Sequence, residues 1–351
     1  NLSFLIWNPE SKLFEEKNLV NGGIDFIGGP TRSVSLYLNA DNYVDVVIIG
    51  HGDECAQSPF ENCRLLLSDG TGKYNLTELN LEPSFLHSMF GYDGGDVGDL
   101  NNDNNPDLIL ASNTHTYIFW GIPSYPYFSN QNFAHFASDT TNFSSNNSFG
   151  EIVPEGSGSV YRAWATDITN DGKNDLLLGT TETSNTPNRF LTNLGQGRFN
   201  QSAITTFPTH NIPNSERIDY IIDDLNVDGL KDVIALDCNY YPKGNQIFQK
   251  WNLITYIQQP GQKLLIDYSW IQYTINAATR PNSKWSLVYT DYNGDEKKDI
   301  GYLDSGVMAP GDPENDLKKK SVFIRSGSRF IETDFYELDP YAKFVKNEFF
   351  K

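Results

Sequence analysis

A short acidic pattern recurs along this chain with a spacing suited to cation binding. In its full form, Asp occupies positions 1, 5 and 9 of a nine-residue segment, and Asn or another oxygen-bearing residue occupies position 3. Alternate residues of a tight loop turn their side chains toward one centre, and Ca²⁺ takes about six to eight oxygen ligands. The pattern therefore predicts a calcium loop in which position 7 adds a backbone carbonyl.

Five copies occur, at residues 37–45, 99–107, 167–175, 224–232 and 291–299, and we number them loops 1 to 5. Loop 1 is degenerate because Tyr stands at position 1. We expect four or five structural Ca²⁺ ions. The predicted metal-binding positions are Asn39, Asp41, Asp45, Asp99, Asn101, Asp103, Asn105, Asp107, Asp167, Thr169, Asp171, Lys173, Asp175, Asp224, Asn226, Asp228, Leu230, Asp232, Asp291, Asn293, Asp295, Lys297 and Asp299.

Two other interpretations of the loops were weighed. An EF-hand needs a bidentate Glu at position 12 and a helix on each side. Loops 2 to 5 have Leu110, Leu178, Ala235 and Tyr302 at position 12, among residues that favour strands, so this interpretation fails. The alternative that stays open is a set of Asx-turns that bind no metal.

The segments around the loops repeat as regularly as the loops do. Each loop is followed by a short apolar run, such as residues 176–178, which is typical of a strand buried on both faces. A second strand and a Gly-rich hairpin then follow, as in residues 190–199. A unit of about sixty residues fits one four-stranded propeller blade, with the loop between its first two strands.

The sequence therefore predicts an all-β fold, a single β-propeller domain over residues 1–351. Five full repeats and a partial N-terminal blade at residues 1–15 indicate six blades, with seven as the alternative. Residues 4–8 and 13–14 are predicted to form the outer hairpin of that partial blade, whose inner half lies upstream or in the C-terminal tail.

These units resemble the FG-GAP/VCBS repeats of integrin α-subunit propellers and of many secreted bacterial proteins. Residues 167–179 and 193–199 match the family's calcium loop, its following strand and its N-x-G-x-G-x-F hairpin. The resemblance covers nearly the whole chain and implies a calcium-binding propeller. It departs from the family in loop 1 and in an aromatic-rich insert at residues 246–273. The family includes adhesion receptors, lectins and polysaccharide lyases, so the resemblance leaves the function open.

Composition and charge narrow the partners. The net charge of −19 argues against nucleic acid and anionic membrane surfaces as partners. Cys55 and Cys63 are close enough in sequence for a local disulfide, which would fit an oxidising compartment, although two reduced thiols remain an alternative. Cys238 then has no cysteine partner and is expected to pack as a small apolar residue. No apolar run is long enough to span a membrane, and we expect a secreted or cell-surface protein.

Basic and aromatic residues precede loops 3, 4 and 5, where the strand would line the central channel of a propeller. Such residues could bind an acidic sugar by stacking and charge pairing. The alternative is that each pairs with a loop Asp or packs between blades. His51, at a strand end, is a further candidate that a turn would also explain. The candidate ligand-binding residues are Arg162, Trp164, Arg217, Tyr220, Lys284, Trp285 and His51.

Three functions follow from these patterns. A non-catalytic recognition or adhesion module that binds a glycan or protein is favoured, because no catalytic motif occurs and the acids of the recurring pattern are assigned to calcium. A lyase acting on an acidic polysaccharide is the enzymatic alternative. The third is a structural subunit of an extracellular or virion assembly, in which this chain is part of a longer polypeptide.

Overall fold

A computed structural model of the chain describes residues 4–8, 13–22, 30–39, 41–50, 63–79, 81, 92–112, 115–129, 131–137, 143–145, 160–180, 188–208, 215–243, 246–277, 285–304 and 321–334. Every regular element in these ranges is a β-strand. No helix in them is long and apolar enough to cross a membrane. The prediction of an all-β chain is confirmed.

The chain divides into two compact units. Unit 1 consists of Asn1–Asp167, Asp171–Thr180 and Asn188–Ile204. Unit 2 consists of Ile168–Asn170, Thr181–Pro187 and Thr205–Lys351.

Unit 1 contains a hairpin and three blade-type sheets, in which consecutive strands are antiparallel neighbours. The hairpin pairs β1 (Phe4–Asn8) with β2 (Leu13–Lys17). Blade 1 consists of β3 (Pro30–Leu36), β4 (Asp45–Gly50), β5 (Arg64–Ser68) and β6 (Tyr74–Glu78). Blade 2 consists of β7 (Tyr92–Gly98), β8 (Asp107–Ser112), β9 (His115–Phe119) and β10 (Phe133–Ala137), with β11 (Phe143–Ser145) added at its edge. Blade 3 consists of β12 (Val160–Thr166), β13 (Asp175–Thr180), β14 (Arg189–Gly195) and β15 (Arg198–Thr206), whose last residues count with unit 2.

Unit 2 contains two further sheets. Blade 4 consists of β16 (Ser215–Asp223), β17 (Asp232–Lys243), β18 (Gln246–Gln259) and β19 (Lys263–Ile266), and β20 (Gln272–Ala277) pairs with the long strand β18. Blade 5 consists of β21 (Trp285–Thr290), β22 (Asp299–Asp304), β23 (Ser321–Ser326) and β24 (Arg329–Asp334). The aromatic-rich insert at residues 246–273 thus forms β18, β19 and the start of β20.

The second strand of each blade is the most buried, as its apolar run predicts. Residues 108–111, 176–178 and 233–236 are at most 1% exposed. In blade 2 they pack against both neighbouring sheets, Leu108 and Leu110 toward blade 1 and Ile109 and Ala111 toward blade 3, because successive strand residues point to opposite faces. One apolar cluster joins blades 1 and 2, a second joins blades 2 and 3, and a third joins blades 4 and 5.

The prediction of six or seven blades is wrong, because the described residues form five four-stranded blades. The predicted N-terminal hairpin is present, but it pairs with no other strand in the described ranges. The chain after it runs along the outer edge of blade 1 instead. Val20 forms a parallel bridge with Tyr74, and the Asn21 N–H donates a 2.8 Å hydrogen bond to the Tyr74 carbonyl. This segment therefore extends blade 1, and the C-terminal tail predicted to complete the partial blade lies outside the described residues.

Candidate metal loops and ligand-binding residues

All five loops connect the first and second strands of a blade, and loops 2 to 5 share one backbone shape. Positions 4 and 6 both have positive φ, a conformation that residues other than Gly and Asn rarely adopt. These residues are Asn102 (62°), Asn104 (68°), Asn170 (58°), Gly172 (83°), Val227 (62°), Gly229 (85°), Gly294 (79°) and Glu296 (66°). The backbone of each of these loops therefore reverses twice, at positions 4 and 6.

The side chains at positions 1, 3 and 5 accept hydrogen bonds from the loop backbone. In loop 2, the Asp99 carboxylate accepts N–H groups of Asn102 and Asn104 at 2.7 and 2.9 Å. Asn101 Oδ1 accepts the N–H of Asp103 at 2.9 Å. Loops 4 and 5 repeat the position 1 and position 3 bonds. The Asx-turns of the metal-free alternative are therefore present, and they leave lone pairs on each carboxylate for a cation.

The acid at position 9 closes each loop from inside the blade. Asp45, Asp107, Asp175, Asp232 and Asp299 are all 0% exposed. In loops 1, 2, 4 and 5 the carboxylate accepts the N–H of position 2, at 2.7 to 3.1 Å. In all five blades it also accepts a backbone N–H from the end of the third strand or, in blade 2, from just beyond it. These second donors are Ser68, Gly121, Asn193, Gln258 and Arg325, at 2.7 to 2.9 Å.

Burial of these closing acids has an electrostatic cost. Desolvation raises the pKa of the Asp107 carboxyl to about 7, and the charges of Asp103 and Asp99 add to the shift. Desolvation raises the pKa of Asp232 to about 6, again with a contribution from a loop acid, Asp228. The acids at positions 1, 5 and 9 therefore repel one another, and a cation held between them would relieve that repulsion.

The loops fit Ca²⁺ only if amide and carbonyl oxygens contribute. No three His, Cys, Asp or Glu side chains in the described ranges are grouped closely enough to hold a metal ion by themselves. Positions 3 and 5 do converge: Asn101 Nδ2 lies 3.1 Å from Asp103 Oδ2, and Asn226 Nδ2 lies 2.9 Å from Asp228 Oδ2. Positions 1, 3 and 5, with the carbonyl of position 7, would hold the ion.

Lysines at position 7 of loops 3 and 5 already place a cation beside the position 5 acid. Lys173 Nζ lies 2.5 Å from Asp171 Oδ2, and this hydrogen bond raises the pKa of Lys173. Lys297 Nζ lies 3.9 Å from Asp295 Oδ2. Both pairs are partly or largely exposed, so each contributes little to stability by itself.

The candidate ligand-binding residues before loops 3 to 5 differ in accessibility. Trp164 is 2% exposed, which favours the alternative that it packs between blades. Arg162 is half-buried, and its Cγ lies against Gly94 of blade 2, so closely that an added Cβ there would be 2.8 Å away. Tyr220 is half-buried. Arg217 and Trp285 stand in β16 and β21, opposite Asp237 and Asp304.

Several predicted residues lie outside the part of the chain that the structure describes. They are His51, Lys284 and Cys55. Cys63 is 8% exposed and packs in the core between blades 1 and 2. The disulfide of Cys55 with Cys63 therefore stays a prediction.

The sequence did not reveal the five residues that donate to the closing acids from the end of the third strand or just beyond it. They stand 23, 14, 18, 26 and 26 residues after their acids, so no fixed spacing marks them. Only Asn193 carried a signal, since it begins the N-x-G-x-G-x-F hairpin.

Comparison with known proteins matches one part of the chain to a family. Residues 167–235 match the model of the FG-GAP-like repeat. They contain loops 3 and 4, strands β13 to β15 of blade 3 and strand β16 of blade 4. No curated protein matches the chain.

Two solved structures are similar over most of the chain. One is the Tc holotoxin pore of Photorhabdus luminescens, with 16% identity, a TM-score of 0.41, and coverage of 82% of this chain and 11% of that one. The other is the V. cholerae biofilm matrix protein Bap1, with 14% identity, a TM-score of 0.39, and coverage of 88% of this chain and 39% of that one. The chain thus spans well under half the length of either protein.

The loop, buried strand and hairpin of the matched segment recur in the other blades, on both sides of it in the sequence. Residues 167–235 thus carry an FG-GAP-like repeat, and the loops, buried strands and sheets of the other described blades repeat the same unit.

Proposed function

We propose that this chain is a calcium-stabilised, non-catalytic recognition or adhesion module that binds a glycan or protein ligand outside the cell. One observation carries the proposal. The closing acids of the five loops are buried, and each accepts backbone N–H groups that tie its loop to the third strand of its blade. Acids held in this way support the fold, and they are poor candidates for proton transfer to a substrate.

Calcium has a structural part in this proposal. It would lie between the acids at positions 1 and 5 of loops 2 to 5. Desolvation raises the pKa of the closing acid in loops 2 and 4, and the charges of Asp103 and Asp99 in loop 2 and of Asp228 in loop 4 add to the rise. Calcium of this kind keeps each loop folded against its blade and leaves the rest of the surface to a ligand. Extracellular calcium is abundant enough to fill weak sites of this class, which supports a secreted or cell-surface location.

The chain is further proposed to act within a larger polypeptide or assembly. A propeller of this family carries its ligand specificity in surface residues that differ from one member to another, since the repeats themselves are occupied with folding. Loops held on a scaffold of strands are suited to presenting such a surface from a larger protein.

A glycan array with and without Ca²⁺, combined with an absorbance assay for lyase products on acidic polysaccharides, tests the proposal. We expect calcium-dependent binding of at least one glycan or protein ligand and no release of unsaturated sugars. Lyase activity would overturn the non-catalytic function in favour of the enzymatic alternative.

Variants then locate the ligand. If the residues before the loops bind it, Arg162→Ala and Arg217→Ala lower affinity while the melting temperature is kept. Arg198→Ala, at an exposed position of β15, is the matched control. Unchanged binding in the first two variants would remove these residues from the site.

A further inference from the structure

Loop 1 differs from the other four loops by what stands at positions 1 and 7. Both are tyrosines, Tyr37 and Tyr43, which are 63% and 50% exposed. The loop still closes, because Asp45 accepts the N–H groups of Leu38 and Ser68 at 3.1 and 2.8 Å. Since positions 2 and 9 are joined in this way, the two tyrosines belong to one compact turn.

Blade 2 adds two more tyrosines to this place. Between β9 and β10, the chain inserts Tyr127 against loop 1, where it is 8% exposed and its hydroxyl is hydrogen-bonded to the side chain of Asn39. The ring of Tyr125 meets that of Tyr127 edge-on at 6.2 Å between centroids, and Tyr125 is 60% exposed. Tyr127 is thus the support, while Tyr37, Tyr43 and Tyr125 form an exposed tyrosine platform.

Carboxylates flank this platform. Asp41, at position 5 of loop 1, accepts the N–H of Tyr43 at 2.9 Å and is within electrostatic reach of the Tyr127 hydroxyl. The Tyr43 ring lies over Gly70, where an added Cβ would be 3.0 Å from it. The neighbouring Asp69 is held ionised, because hydrogen bonds from Thr71 and then other groups lower its pKa. The platform therefore combines aromatic faces with negative charge, which attracts cations and repels uronates.

The openness of the platform indicates the kind of cation. A lone ammonium is best held in a closed aromatic cage, whereas the rings of Tyr37, Tyr43 and Tyr125 are each at least half exposed. The apolar face of a pyranose ring can rest on an exposed tyrosine, whose hydroxyl stays available for hydrogen bonds. An amino sugar unites both features, a flat ring face and a protonated amine.

We infer that the tyrosine platform of loop 1 binds a saccharide containing protonated amino sugars, with the pyranose stacked on Tyr125 or Tyr37 and the ammonium directed to Asp41 or Asp69. The inference rests on the proposed function, to which it adds the class of glycan and the place where it binds. It also gives loop 1 a role different from that of loops 2 to 5, which have an acid at position 1.

Calorimetric titration with a fully deacetylated glucosamine tetramer, and in parallel with its N-acetylated counterpart, tests the inference. Saturating Ca²⁺ in all titrations keeps every calcium loop in the same state. We expect the deacetylated tetramer to bind about tenfold more tightly than the N-acetylated one. Added salt should weaken the binding of the deacetylated tetramer. Tyr125→Ala should lower its affinity about fivefold. Asp41→Asn, which keeps an acceptor for the Tyr43 N–H, should reduce the preference over the N-acetylated tetramer.

The control is Tyr268→Ala, at a tyrosine in unit 2 that is 47% exposed. This variant should bind as the unaltered chain does. Equal affinity for the two tetramers, unchanged affinity in Tyr125→Ala, or no binding would each overturn the inference. So would tyrosine-dependent binding of polylysine without binding of the tetramer, which would point to a basic protein. If other glycans bind on the array while this tetramer does not, the proposed function stands and the platform assignment alone fails.

Discussion

Asn193 of blade 3 donates a 2.7 Å hydrogen bond from its side-chain amide to the carbonyl of Leu100, in the loop of blade 2. The same amide donates to the carbonyl of Asn174 at 2.7 Å, and the Asn193 N–H donates to the closing acid Asp175. One residue thus ties the loop of its own blade to the loop of the blade before it.

The relationship recurs in unit 2 with other side chains. The Gln258 amide donates to the carbonyl of Ile168 at 3.3 Å, and Arg325 Nη2 donates to that of Leu225 at 2.6 Å. The guanidinium of Arg325 also lies over the ring of Trp270, 5.7 Å from its centroid. In blade 2 the equivalent residue is Gly121, which has no side chain, and Tyr127 contacts loop 1 instead.

Removal of the Asn193 amide should therefore destabilise the protein. Asn193→Ala leaves two carbonyls without this donor, so we expect the free energy of unfolding to fall by about 1–3 kcal/mol. Asn193→Asp should cost at least as much, because it keeps the acceptor for the Gly195 N–H but loses both donors. Thermal unfolding of the variants measures the loss of stability. Leu194→Ala, at a side chain that is 53% exposed, is the control. Equal melting temperatures for all three variants would contradict the role.

Much of this fold follows from patterns that are local in sequence. The apolar run of residues 176–178 predicts a buried strand, and Gly195 and Gly197 predict the hairpin that joins β14 to β15. Each of these signals depends on residues a few positions apart, so periodicity and turn chemistry suffice to find them.

The connections between blades could not be predicted in this way. The donors Asn193, Gln258 and Arg325 differ in type and in distance from their acids, because the segment between second and third strands varies in length. The number of blades was predicted wrongly for a related reason. A hairpin pattern such as that of β1 and β2 predicts pairing within itself, but it does not show which sheet edge it joins.

The second hairpin glycine of blade 3 is needed for packing as well as for backbone conformation. Gly195 and Gly197 both have positive φ, of 89° and 68°. A Cβ on Gly197 would lie 2.6 Å from the Trp120 ring, whereas a Cβ on Gly195 would meet only Lys173, at 3.8 Å. We expect Gly197→Ala to cost about 1–3 kcal/mol more than Gly195→Ala in urea unfolding. Equal costs would show that the Trp120 contact is unimportant.

Val227, at position 4 of loop 4, combines a β-branched side chain with a φ of 62° and is 81% exposed. This conformation is unfavourable for such a residue, and exposure means that packing contributes little in return. Val227→Asn should raise the free energy of unfolding by about 1 kcal/mol, measured in saturating Ca²⁺. Val227→Thr keeps the branch and should give no gain. A less stable Asn variant would contradict the backbone argument.

Calcium removal should lower the melting temperature, because an ion that binds only the folded loops stabilises the protein by mass action. At an ion concentration about one hundred times its Kd, one site contributes about 2.7 kcal/mol. Asp99→Asn, at position 1 of loop 2, should shrink the difference between Ca²⁺ and chelator. Tyr37→Phe, at the same position of loop 1, should leave that difference unchanged. A protein that melts at the same temperature in excess chelator would disprove structural calcium.

The stability of the metal-free protein should depend on pH through Asp107. Its pKa in the fold, about 7, lies above the ordinary value of 3.8, so between about pH 4 and 7 the folded state holds a proton that the unfolded state releases. Stability is therefore highest at the acidic end of this window and falls as pH rises, by up to about 1.4 kcal/mol per unit. Bound Ca²⁺ would stabilise the carboxylate and flatten the profile. Chemical unfolding in chelator at several pH values measures the slope.

Asp107→Asn should reduce that slope, since the amide does not titrate in this range. Asp69→Asn is the control, because hydrogen bonds already hold the pKa of Asp69 below its ordinary value and outside the window. The same slope in the Asp107 variant as in the unaltered protein would show that other groups cause the pH dependence. Ca²⁺ should flatten the pH profile of the unaltered protein and leave that of the Asp107 variant nearly unchanged. That difference would tie the buried acid to the cation that the loop pattern predicts.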